Sequence, residues 1–202
     1  MPEDNVNPVR STNISDMENN ASNGVKAVIE ALLFASAQPL TLEKIKEVLG
    51  DFQTTQIRKL LEELGQEFEK SNRGIRIAEL AGGFQLITPP DLALFLKKLY
   101  KGRRIERLSR PALETLAVIA YKQPVDKLEI GSIRNVNIDG VVKSLIDKDL
   151  IRIAGRKKSP GRPFLFGTTR KFLEYFGLKS LEELPRVENF QEALAKEATK
   201  KE

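Results

Sequence analysis

A chain of 202 residues is long enough for one domain or two small ones, and 41% apolar with 30% charged residues is a globular composition. Cysteine and histidine are both absent, which excludes disulfides, thiolate chemistry, thiolate or imidazole zinc sites and any serine–histidine–aspartate triad. The net charge of +5 is modest but unevenly placed: residues 24–90 hold 8 basic and 9 acidic side chains, whereas residues 97–110 hold 7 basic ones against Glu106 alone.

Residues 1–23 contain six asparagines and almost no large apolar side chain, the composition of a disordered tail. They carry no basic-then-apolar leader, and no apolar run approaches the roughly 20 residues of a membrane span. From Val25 to Ala37 the apolar positions Val28, Ile29, Leu32 and Leu33 fall at helical spacing, and Gln38-Pro39 stops the helix. Thr41 is placed to cap a second helix that ends at Gly50. A third, from about Thr54 to Ser71, carries Ile57, Leu60, Leu61, Leu64 and Phe68. Alternating, β-branched residues from Gly74 to Leu80, a turn at Gly82-Gly83 and a return from Phe84 predict a β-hairpin. A closing helix spans Asp91 to Tyr100.

The second segment repeats this order. Ser109 caps a helix with Pro111 in its first turn, and Gln123-Pro124 stops it. Asp126-Lys-Leu-Glu129 opens a short second helix as a capping box. A third helix runs from about Ile138 to Asp149, with Val141, Val142, Leu145 and Ile146 expected inside. Strands at Ile151–Ala154 and Phe164–Phe166 flank a long turn, and a helix from Thr168 or Thr169 ends at Gly177. Residues 186–202 balance 4 bases against 4 acids and predict a frayed or disordered tail.

Gln38-Pro39 and Gln123-Pro124 occupy matching slots, and Ile-Arg-Ile-Ala occurs at both 75–78 and 151–154. A duplication explains this better than chance. Three helices and a hairpin, twice, predict an α+β, mainly helical chain of two tandem winged-helix domains. The expected spans are 24–100 and 111–185, joined by a basic linker at 101–110.

Winged helices often read DNA with the third helix. Here those helices are acidic: Glu62, Glu63, Glu67 and Glu69 face Arg58, Lys59 and Lys70, and Asp139, Asp147 and Asp149 face Lys143 and Lys148. Phosphates would repel them. The second wing, by contrast, gathers Arg156, Lys157, Lys158 and Arg162, and with Arg103 and Arg104 of the linker it offers candidate phosphate contacts. A DNA-binding transcriptional regulator using wing and linker is therefore the alternative reading. The wing is no phosphate-binding P-loop, since five residues separate Gly155 from Gly161 and Arg-Pro follows. No catalytic constellation and no cofactor motif stands out, so the residues predict a non-enzyme that holds partners. Adjacent Leu32, Leu33 and Phe34 cannot all face one core, and Leu92, Leu94, Phe95, Leu96 and Leu99 exceed what a short helix buries on one side. This surplus is expected to pack across a dimer, with Leu32, Leu33, Phe34, Leu92, Phe95 and Leu96 as the candidate contacts.

The run Leu108-Ser-Arg-Pro-Ala-Leu-Glu-Thr-Leu-Ala-Val-Ile-Ala-Tyr-Lys-Gln-Pro-Val125 resembles the bacterial segregation and condensation protein B family. So do Pro160-Gly-Arg-Pro163, Gly167-Thr-Thr169, Tyr175-Phe-Gly-Leu178, Ile29-Glu-Ala-Leu-Leu-Phe-Ala-Ser36 and Gly83-Phe-Gln-Leu86. The resemblance implies a cytoplasmic, nucleoid-associated homodimer joined mainly by its first domains. It also implies binding to the kleisin subunit, segregation and condensation protein A, and through it to the SMC ATPase. Weak non-specific DNA contact is compatible with this reading; membrane association is not. The chain departs from the family pattern at Ile133-Arg-Asn-Val-Asn-Ile138, where Asn135 replaces a glycine and Ile138 a polar residue, leaving Asn137 as the expected helix cap.

Overall fold

The computed structural model describes residues 21–185, apart from 102–106 and Asn135. The expectations for residues 1–20, Arg103, Arg104, Asn135 and the 186–202 tail lie outside the described residues. The chain is mainly helical with two small sheets, an α+β architecture. It divides into two compact units, one of residues through 78 with 84–94, the other of 79–83 with residues from 95.

In the first unit, α1 (Ala21–Ala35), α2 (Leu42–Leu49) and α3 (Thr54–Lys70) precede the hairpin strands β1 (Arg76–Leu80) and β2 (Gly83–Ile87). The start of α1 at Ala21 corrects the tail expectation for residues 21–23, which are helical. Thr41 caps α2 by accepting the Lys44 N–H, and Gly50 takes the left-handed φ that ends it. Gln53 and Gln56 form a reciprocal capping box on α3. The core comprises Ile29, Leu33, Ile45, Ile57, Leu61, Leu64, Phe68 and Phe84. Each such side chain, fully buried, contributes roughly 1.5–3 kcal/mol. Beneath this core, Lys26 ties α1 to α3, its Nζ 2.9 Å from Glu63 Oε2 and 2.7 Å from Glu67 Oε1. The link before α2 adds a third strand position, with Leu40 and Phe84 exchanging both backbone hydrogen bonds. A short 3-10 turn (Pro90–Leu92) leads to α4 (Ala93–Leu99).

The second unit follows the same order: α5 (Arg110–Lys122), β3 (Val125–Asp126), α6 (Lys127–Arg134), α7 (Asp139–Asp147), β4 (Ile151–Arg156), β5 (Phe164–Thr168) and α8 (Arg170–Phe176). Here too the link before the second helix pairs with the return strand, Val125 opposite Phe166, giving the sheet order β3-β5-β4. Ile45 and Ile130, 85 residues apart, are both fully buried. Ser109, Asp126 and Thr169 cap their helices as expected. Ile138 does not cap α7 but plugs the core, while Asn137 Oδ1 accepts the Asp139 N–H at 2.8 Å. Ile146, expected inside, is exposed; Val142 and Leu145 are the fully buried positions of α7.

Two motifs of the second unit have a structural explanation. Gln123 Oε1 accepts from the backbone N–H and the hydroxyl of Thr168, at 2.7 and 3.1 Å, while its amide donates to the Ala120 carbonyl. This satisfies the buried Thr168 and clamps the end of α5 to β5. A Cβ on Gly167 would lie 2.9 Å from the same Gln123 Oε1, so the clamp requires glycine there. Thr169 completes the joint by donating to the Asp149 carbonyl.

Candidate functional site

Of the three consecutive residues expected at a dimer contact, Leu33 is 2% exposed and belongs to the core, which corrects its assignment. Successive helical positions point about 100° apart, so the run splits. Leu32 is half-buried against the same core, and Phe34 is 82% exposed. In the closing helix, Leu92 and Leu96 are half-buried, whereas Phe95 is exposed. Leu94 and Leu99, part of the same expected surplus, are as open as Phe95, at 68% and 73%. Within α4 no residue is fully buried, so its three leucines and one phenylalanine stay partly or wholly open.

The second wing also needs correction. Lys157 is not a free phosphate contact: its Nζ lies 2.6 Å from Asp126 Oδ2 and 2.9 Å from Glu129 Oε1. Asp126 and Glu129 are the capping box of α6, so the wing is pinned to the helix it overhangs. The Lys157 ammonium beside them holds both carboxyls below their ordinary range, helped by the backbone amides they accept. They in turn raise Lys157 above the usual lysine value. Arg156 lies over the Phe164 ring at 4.1 Å and donates to the Arg162 carbonyl. Lys158 and the Arg162 side chain are left exposed.

The acidity of α3 is partly internal. Glu63 and Glu67 are the carboxylates that hold Lys26, which lowers Glu63 and raises Lys26. In α7, Asp139 pairs with Lys127. Helix composition therefore overstates the negative charge presented outward, and α3 and α7 repel phosphate less than their count of acidic residues implies.

A largely apolar concavity lies in the second unit. Helix α5 buries Ala112, Leu116, Ile119 and Ala120 on one side and sets Leu113, Ala117 and Tyr121, one turn apart, on the other. With Ile133 of α6, Phe172 and Phe176 of α8, and Leu178, Leu184 and Pro185, that second stripe lines a largely apolar groove of about 610 Å³. One charged group is tied down at its side: Arg134 Nη1 meets Glu114 Oε2 at 2.6 Å, and its Nε donates to the buried Thr115 hydroxyl. The groove arises because one helix supports two apolar stripes.

Exposed apolar helices and an apolar groove define a chain built for contact with other macromolecules. The family model for the segregation and condensation complex subunit ScpB matches residues 27–187. The segregation and condensation protein B of Syntrophotalea carbinolica is 49% identical over 174 residues, covering 86% of this chain and 87% of that protein. The protein of the same name from Symbiobacterium thermophilum is 45% identical, over 81% of this chain and 74% of its own. A solved dimer of an ScpB N-terminal domain complexed with an ScpA peptide shares 40% identity, covering 39% of this chain and 98% of that one, at a TM-score of 0.37.

The chain belongs to the ScpB family of chromosome segregation and condensation proteins, subunits of the SMC complex. Among the described residues, no helix is long and apolar enough to cross a membrane.

Proposed function

We propose that this chain is a non-catalytic scaffold: a homodimer of two tandem winged-helix domains, residues 24–100 and 111–185, that binds the kleisin of the SMC complex in the cytoplasm, at the nucleoid. The observation that carries it is the apolar surface left open on α1 and α4, above all Phe34, Leu94, Phe95 and Leu99. Exposed aromatic and leucine side chains of this size gain free energy when a partner removes them from water. The repeated helix–strand–helix–helix–hairpin order supports the winged-helix reading. Family membership supports the kleisin and, through it, the SMC ATPase as partners. Chromosome condensation and segregation would follow from holding those partners, with ATP hydrolysis belonging to the SMC protein.

The rival regulator reading rests on the wing and linker. In the wing, with Lys157 in ion pairs and Arg156 on Phe164, Lys158 and Arg162 remain for phosphate, while Arg103 and Arg104 of the linker lie outside the described residues. Two wing cations by themselves support weak, salt-sensitive, non-specific contact rather than sequence readout. The test is a pull-down from bacterial lysate with the full chain as bait. Recovery of kleisin and SMC together is expected; recovery of neither overturns the scaffold.

A further inference from the structure

We propose that the apolar groove of the second unit is the docking site of the chain's own C-terminal segment, residues 187–198. The groove is lined by Leu113, Ala117 and Tyr121 on one wall and by Phe172 and Phe176 on the other, with Ile133 among the lining residues. Its other lining residues include Leu184 and Pro185, the last described positions of the chain, and the Tyr121 hydroxyl donates to the Pro185 carbonyl at 2.6 Å. The backbone therefore leaves the described region at the groove's own rim, fastened there by a groove residue.

The sequence that follows suits the groove. Val187, Phe190, Leu194 and Ala198 fall at i, i+3, i+7 and i+11, one apolar stripe if the segment is helical, with Glu188, Glu192 and Lys196 on the opposite side. An amphipathic helix laid in an apolar groove is a recurrent recognition mode, read through anchors at this spacing. Arg186 alone separates Pro185 from Val187, so the segment is presented at an effective concentration on the order of millimolar. A second copy or a separate partner would have to exceed that concentration, or bind more tightly, to displace it. The family match ends at residue 187, so nearly all of this segment lies beyond it.

The absence of cysteine makes the test direct. Ala117→Cys places one thiol in the groove, and its alkylation by a bulky maleimide is timed in the full chain. The same measurement is made with Val187, Phe190 and Leu194 also changed to Asp. We expect alkylation about ten-fold faster once the stripe is charged, and an unchanged rate for a control thiol at Lys158→Cys. Equal rates at position 117 overturn the proposal. Protection that disappears on dilution assigns the groove to a second copy, and protection that appears only after kleisin is added assigns it to the kleisin; either result also overturns it. Kleisin recovery in the pull-down bears on the scaffold reading separately.

Discussion

The two units carry the same order of elements but spend their exposed surface differently. The β1–β2 hairpin closes in two residues, Ala81 and Gly82, both at the positive φ that a tight two-residue turn demands. The second runs a long wing from Arg156 to Phe164 and holds it to α6 through Lys157. The α1 helix of the first leaves a bare phenylalanine in the open, whereas the second gathers part of its apolar surface into a groove. A Gln-Pro step follows the first helix in both, yet only the second uses it as a clamp. Gln123 is tied to Thr168 and packs against Gly167, while Gln38 is exposed. A shared scaffold thus preserves the core positions while the joints and outer faces diverge.

The largest expected effect tests the shared part. Ile45→Ala and Ile130→Ala should each cost about 2–5 kcal/mol in urea denaturation, because both leave a cavity at an equivalent, fully buried position. If one costs several times the other, the equivalence of the cores is broken. The next effect tests the divergence. Gln123→Ala leaves the buried Thr168 N–H unpaired and should cost about 1–3 kcal/mol, whereas Gln38→Ala should stay within about 0.5. Gly167→Ala should cost about 1–3 kcal/mol by displacing the same Gln123 oxygen. The Gln123 and Gly167 losses should be less than additive, measured as a double-mutant cycle.

The pinned wing gives a pH-dependent difference within the second unit. Asp126 has a lowered folded pKa, with the Lys157 ammonium as the largest cause. Its stabilisation is present above the unfolded value near 3.9 and is lost as pH falls through the lower folded value. Lys157 has the opposite sign: its contribution is full below about 10.4 and is lost as pH rises through its raised folded value. The protection of the Lys157 amide relative to its intrinsic exchange rate, its N–H bonding the Pro163 carbonyl, should therefore fall in acid and again in strong base in the native chain, and already at neutral pH in Asp126→Asn. Unchanged exchange in that variant would remove the pin from the account. Smallest of all, Lys158→Ala with Arg162→Ala should leave stability within about 0.5 kcal/mol while lowering the salt-dependent DNA affinity.

Local chemistry made the helices legible: Thr41, Ser109, Asp126 and Thr169 each accept an amide in the first turn of the helix they begin. The core positions followed from periodicity, with errors where an apolar run exceeds one face. Leu33 and Phe34 differ by a single 100° step, and no residue type distinguishes which one turns inward. Long-range pairings were not legible. Nothing in Gly-Arg-Lys-Lys shows that Lys157, rather than Lys158, reaches a capping box 28 residues earlier. The groove was hidden for the same reason, being assembled from two helix faces and the segment that closes the unit. The acidity of α3 could be counted, but not the share of it spent on Lys26.

The account's central claim is that this chain works by holding protein. Calorimetric titration of purified kleisin into the full chain, native and with Lys158 and Arg162 changed to Ala, tests it most directly. It predicts saturable binding with affinities for the two forms agreeing within about two-fold, since neither cation belongs to the apolar surfaces. No kleisin binding by the native chain, at concentrations where it binds DNA sequence-selectively, would contradict it.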